Sequence, residues 1–151
     1  MKRLIVATGA CAALAVSALL STATAQSGPP AGTLALVQLE RDTRTGYVDN
    51  PPRRRESTGD VFTVSGRVRD AANRPVGRAQ AVFTQTGRSS AQGSATFALA
   101  RGQIAIVGGL AGSGTDTLTI AGGTGVYAGA TGTARITERR GRPEFLFSFG
   151  G

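Results

Sequence analysis

From Thr33 to Phe149 the chain is divided into short stretches in which residue character alternates at every second position, with glycine, proline and asparagine clustered between them. Successive side chains of a strand point to opposite faces, so period two marks a strand; a helix repeats every 3.6 residues. No segment beyond the first 25 residues has the helical period. In the stretch 61–70, Phe62, Val64 and Val68 share one face with Gly66 in their register, and Thr63, Ser65, Arg67 and Arg69 share the other. Ala79, Ala81 and Phe83 alternate with Arg78, Gln80 and Val82, and Phe145, Phe147 and Phe149 all point one way. Two stretches are apolar on both sides: Leu34 and Leu36 alternate with Ala35 and Val37, and Ile104 and Ile106 with Ala105 and Val107. Eight strands result, and the connections after the first are short, so neighbours in sequence pair antiparallel as a meander. The expected fold is all-β, an eight-stranded antiparallel up-and-down barrel, because closure removes the exposed edges of an open sheet. A two-sheet sandwich is the alternative, ranked lower because the chain has no tryptophan and no cysteine pair to centre it.

The domain plan follows from composition shifts. Residues 1–25 read as a secretory signal: Lys2 and Arg3 precede an apolar run from Leu4 to Leu20, and Ala23-Thr24-Ala25 forms a small-residue cleavage site. The expected localisation is therefore secreted, extracellular or periplasmic, after cleavage near Ala25, with no stable membrane span. Residues 26–32 read as a flexible leader, and residues 33–151 as the barrel, with a long loop at 42–60 that holds Asn50-Pro51-Pro52 and the run Arg53-Arg54-Arg55.

Removal of the signal leaves a chain without cysteine or histidine, since the single cysteine is Cys11. That inventory excludes disulfides, Cys/His zinc sites and Ser-His or Cys-His nucleophilic chemistry in the mature chain. No metal site is expected. With Lys2 and Arg3 gone, fifteen arginines stand against nine acids, a net charge of +6. The arginines are scattered over strands and loops without interleaved aromatics, so no nucleic-acid partner is expected.

The densest glycine stretch, Thr119 to Gly132, needs separate treatment. Gly123-Thr-Gly125-Val-Tyr-Ala128 has the spacing G-x-G-x-x-A after a strand, and Glu144 falls about 20 residues on, as in a dinucleotide fingerprint. Its context is wrong for that role. The fingerprint needs a helix whose N-terminus holds the pyrophosphate, and here Gly-Ala-Thr-Gly-Thr-Ala follows, with no room for a second βαβ unit. The stretch reads instead as a turn between the sixth and seventh strands, permitted by Gly122, Gly123, Gly125, Gly129 and Gly132, with Tyr127 as its one aromatic.

The run from Ile120 to Gly132 resembles the signature of dirigent proteins, and it is similar to the corresponding turn of allene oxide cyclases. Both families are eight-stranded antiparallel barrels. The looser match spans Thr33 to Phe149, including Gly59-Asp60-Val61-Phe62 after the long loop. The resemblance implies a lumen open at one end, a small hydrophobic or phenolic ligand, cofactor-independent cyclase or isomerase chemistry, and assembly as a homo-oligomer, dimer or trimer. The sequence also departs from both families. Val37, Gln38 and Leu39 stand where allene oxide cyclases carry an acid and an asparagine, and Ala130 and Thr131 stand near the position of a dirigent arginine.

Glu40 is the candidate catalytic group, because it shares the face of Leu34, Leu36 and Gln38, and a carboxylate in an apolar lumen is suited to proton transfer. Gln38 and Tyr127 are candidate ligand contacts, and Arg67, Arg69 and Arg78 are candidates for stabilising an oxyanion. A ligand-binding barrel without turnover and a structural cell-envelope protein remain the alternatives.

Overall fold

The computed structural model describes residues 31–50, 57–112 and 114–150. The signal segment, all of the leader but its last two residues, and the run Arg53–Arg55 lie outside them. Eight strands follow one another: β1 Gly32–Val48, β2 Val61–Arg69, β3 Pro75–Gln85, β4 Ala91–Leu99, β5 Gly102–Leu110, β6 Thr115–Gly123, β7 Thr131–Arg139 and β8 Arg142–Gly150. Each pairs antiparallel with its sequence neighbour, and β1 pairs with β8, which closes the barrel. The meander expected from the alternation is the fold found. No described helix is long and apolar enough to cross a membrane.

The alternation decides which side chains fill the barrel. Val68, Ala79, Phe83, Ala95, Ile104 and Ile106 are buried, and their sequence neighbours face outward. Across the barrel Phe97 packs edge-on against Phe145 and Phe147, with ring centroids 4.9 and 5.0 Å apart. Such offset aromatic contacts add about 0.5–1.5 kcal/mol each to the burial of the rings.

The two ends of the barrel differ. At one end stand the connections β2–β3, β4–β5 and β6–β7, the last carrying a single-turn 3-10 helix at Gly125–Tyr127. The Val126 amide donates to the Arg101 carbonyl, and the Tyr127 ring stacks on Phe149 at 5.9 Å, so the glycine stretch folds over this end and closes it. Gly125 has φ +62, and a Cβ at Gly123 would run into the carbonyl oxygens of Gln103 and Tyr127, so side chains there would oppose the closure. The opposite end carries the long β1–β2 connection together with β3–β4, β5–β6 and β7–β8.

The first strand departs from expectation twice. It runs on to Val48, where a loop beginning at Asp42 was expected, because the segment 43–48 pairs residue by residue with β2. It is also interrupted. Val37 and Gln38 pair with Arg69 and Val68, and pairing resumes at Thr43 opposite Gly66, so the four residues 39–42 stand against Arg67 alone. The three surplus residues form a wide bulge and, being odd in number, reverse the face of the strand: Leu34, Leu36 and Gln38 point inward before it, and Thr43, Thr45 and Tyr47 pair with the inward set of β2 after it. Arg69 fastens the bulge through a salt bridge to Asp42 at 2.9 Å. Thr43 Oγ1 donates to the Leu39 carbonyl at 2.8 Å.

Candidate functional site

Inside the barrel, toward the loop-bearing end, lies a cavity of about 350 Å³. Its walls are the inward residues of β2, β3, β4, β7 and β8, including Phe62, Phe83, Phe97, Phe145 and Ile136. Phe62 and Phe83 are stacked with centroids 5.4 Å apart, which offers a flat aromatic wall to a planar ligand. An adjoining recess of about 480 Å³ shares Phe62, Leu110 and Gly112 with the cavity and extends past Tyr47, Arg88 and Ser89.

Among the described residues three polar side chains line the cavity: Gln38, Asp116 and Glu138. Gln38 is 1% exposed and donates from Nε2 to Thr43 Oγ1 at 3.1 Å, so its amide is held by the bulge. Asp116 shares the inward face of β6 with Leu118 and Ile120, and accepts a hydrogen bond from the Ala111 amide at 2.8 Å. Glu138 continues the face of Ala134 and Ile136 on β7 and is exposed at the rim. Among the described residues the lining contains no serine, threonine, tyrosine, lysine or arginine. A group of three or more acids that could hold a metal is absent among the described residues.

The β1–β2 connection at this end is anchored by Asp60, which is fully buried. Its carboxylate accepts from the Tyr47 hydroxyl, from the backbone amides of Asn50 at 3.0 Å and Ser57 at 2.6 Å, and from the Ser57 hydroxyl at 3.2 Å. These donors, Tyr47 foremost, hold its pKa down to about 2 from an ordinary 3.8, against the opposing effect of desolvation.

The residues singled out in the sequence divide. Gln38 lies in the cavity wall. Glu40 does not: it falls within the bulge, where the strand leaves its inward register, and its side chain is exposed. Arg67 and Arg78 point away from the lumen because they occupy the outward register of β2 and β3, and Arg69 is committed to Asp42 and to the Asn73 carbonyl. Tyr127 is stacked on Phe149 at the closed end and does not line the cavity. Asp116 and Glu138 were not singled out, although their places in the apolar registers of Leu118 and Ile136 are visible in the sequence.

No family model matches the sequence, nor does a curated protein. Solved structures do match the fold. A pyocyanin demethylase superposes with a TM-score of 0.67 at 18% identity, over 78% of this chain and 99% of the other. A pterocarpan synthase dirigent protein gives 0.57 at 17% identity, over 79% of this chain and 94% of its own. This chain shares its fold with dirigent and Diels-Alderase barrels. The Diels-Alderase, described as exo-specific and intermolecular, gives 0.57 at 16% identity, over 79% of this chain and 98% of that one. The likeness runs the length of the barrel, and at such identities it speaks for the architecture and not for the residues of the lumen.

Proposed function

We propose that this protein is a secreted barrel that takes one small hydrophobic or phenolic molecule through its loop-bearing end and holds it in a shape that directs cyclisation or coupling, without a cofactor. The carrying observation is the cavity of about 350 Å³, whose described lining is apolar but for Gln38, Asp116 and Glu138. A volume near the lower end of the 300–1,000 Å³ range for ligand pockets suits a single ring system of modest size. Apolar walls exclude water and restrict conformers, and a bound molecule near its reactive geometry needs less further ordering. Gln38 is the group to orient a carbonyl or hydroxyl, and the two rim acids are the groups to take up or return a proton. The names of the barrels that share this fold, a pterocarpan synthase and a Diels-Alderase, support a ring-forming role.

A panel of phenolics and unsaturated fatty-acid derivatives tests the reading by calorimetry and product analysis. Binding that disappears in Ala81→Phe, which fills the lumen, is the expected outcome. Failure of the whole panel to bind, or equal binding by the filled variant, overturns it. The largely apolar described lining favours a second reading, a binding protein without turnover; it gains if ligands bind and leave chemically unchanged.

Export and assembly belong to the same proposal. The segment ending at Ala25 supports export, and a mature chain beginning at Gln26 by mass spectrometry is the expected result. The outward row Val82, Ser94, Val107 and Thr119 carries no charge, and Val82 and Val107 are 50% and 42% exposed, which supports a homo-oligomer, dimer or trimer. A monomer in sedimentation at high concentration overturns the assembly.

A further inference from the structure

On the outer wall, beside the bulge of β1, lies a groove of about 490 Å³ lined by Arg41, Arg44, Arg67 and Arg78 together with Ser65 and Gln80. Arg67 of β2 and Arg78 of β3 stand directly opposite one another in the pairing register. Like charges in that position repel, so the pair costs stability unless something neutralises it. The protein does not do so. Asp42, the one acid in the groove, is held by Arg69, and the only other ion pair among the described residues joins Arg74 to Asp70. All four arginines are exposed. The bulge creates this arrangement, because its surplus residues carry Arg41 outward and place Arg44 opposite Ser65, alongside the β2–β3 pair.

We propose that this groove is an anion site separate from the lumen, and that it takes a small molecule bearing a diphosphate. The planar guanidinium fork binds phosphate oxygens through two parallel hydrogen bonds, and cross-strand arginines converge on one tetrahedral group. Four cations exceed what one phosphate neutralises, and a second phosphate meets Arg41 and Arg44 along the bulge. The groove's volume accommodates a diphosphate ester. Lumen and groove share the bulge as a common wall, since Gln38 lines the first and Thr43 the second.

The test uses the full mature chain with inorganic pyrophosphate as probe, read by calorimetry and by thermal melting at low ionic strength. Pyrophosphate is expected to bind and to raise the melting temperature. The double variant Arg67→Gln/Arg78→Gln is expected to lose at least tenfold in affinity, while melting no lower than the wild type without anion because the repelling pair is gone. Arg135→Gln, which removes an exposed arginine from the outer face of β7 away from the groove, is expected to leave binding unchanged. The inference is overturned if the wild type does not bind pyrophosphate, or if Arg135→Gln weakens binding as much as the double variant. It is overturned as well if the protein binds only vesicles rich in phosphatidylglycerol, since the surface is then a membrane-docking face.

Discussion

Gln38 reaches across the β1 bulge to Thr43, its Nε2 donating to the Thr43 hydroxyl at 3.1 Å. That bond fixes the orientation of the one uncharged polar side chain that the described residues place in the cavity wall. Gln38→Met keeps most of the volume and removes the amide, while Thr43 keeps its own bond to the Leu39 carbonyl. The barrel is expected to stay folded. A ligand that hydrogen-bonds the amide is expected to bind about tenfold more weakly, in line with about 1–3 kcal/mol for a buried hydrogen bond left with one partner. Calorimetry on the tightest member of the ligand panel measures this, and unchanged affinity removes Gln38 from the site.

The bulge depends on a glycine of the neighbouring strand. A Cβ at Gly66 would overlap both the Asp42 carbonyl oxygen and Gln38 Nε2, and backbone cannot give way cheaply. Gly66→Ala is therefore expected to cost about 1–3 kcal/mol, the usual penalty of overpacking. Gly109→Ala is the control, because the nearest atom to its added Cβ is the Ala91 carbonyl oxygen at 3.6 Å, an ordinary contact. Denaturant unfolding of both variants distinguishes a crowded bulge from a general glycine effect.

Acid is expected to loosen the β1–β2 connection. The Asp60 pKa is depressed in the folded protein to about 2 from 3.8, so its contribution to stability is complete above pH 4 and is lost as the pH falls toward 2. The protection of the Asn50 and Ser57 amides, which donate to that carboxylate, is expected to fall across this window when exchange is taken relative to the intrinsic rate at each pH. In Asp60→Asn one acceptor oxygen becomes an NH₂ facing other donors. Protection of these amides relative to their intrinsic exchange rate is then expected to be low already at neutral pH and nearly flat below it. A wild-type profile without a step between pH 4 and 2 contradicts the anchoring role.

The barrel was legible because its evidence is local: each of β2, β3, β4 and β8 shows its buried face by alternation alone, as Phe145, Phe147 and Phe149 do. The bulge was not, because it is a property of two strands. Leu39 to Asp42 look like any strand end, and Gly66, which admits them, lies on β2. The parity of Leu34, Leu36 and Gln38 points Glu40 at the lumen, and the bulge breaks that parity. Asp116 and Glu138 carried a readable signal, their place in the registers of Leu118 and Ile136, but polar residues at strand ends look the same whether they rim a cavity or meet solvent.

Tyr127 is expected to serve the closed end and not the ligand. Its ring stacks on Phe149 at 5.9 Å, and Phe149 stacks in turn on Phe147 at 6.3 Å, which places it behind the floor of the cavity. Tyr127→Ala is expected to lower the melting temperature by several degrees, as a cost of about 1–2 kcal/mol does in a domain of this size. Ligand affinity is expected to hold within a factor of two. A large loss of affinity with unchanged stability reverses the assignment.

The rim acids give the sharpest test of whether the barrel turns a ligand over. Asp116 and Glu138 project from adjacent strands into the same cavity, Asp116 pairing with Ile136 two residues before Glu138. A proton-transfer group must lie within hydrogen-bond reach of the reacting molecule, and among the described residues these two are the acids that line the lumen. Glu40 has the right chemistry and the wrong place. If the protein catalyses a cyclisation, Asp116→Asn or Glu138→Gln is expected to lower kcat by about 10²–10⁴-fold, the usual worth of a positioned acid or base, with little change in ligand affinity. Glu40→Gln is expected to leave kcat unchanged. The reverse pattern, loss in Glu40→Gln with both rim variants active, requires the bulge to fold inward on binding and returns the chemistry to β1. Full activity in all three variants leaves the apolar walls as the source of rate, through the conformation they impose on the ligand.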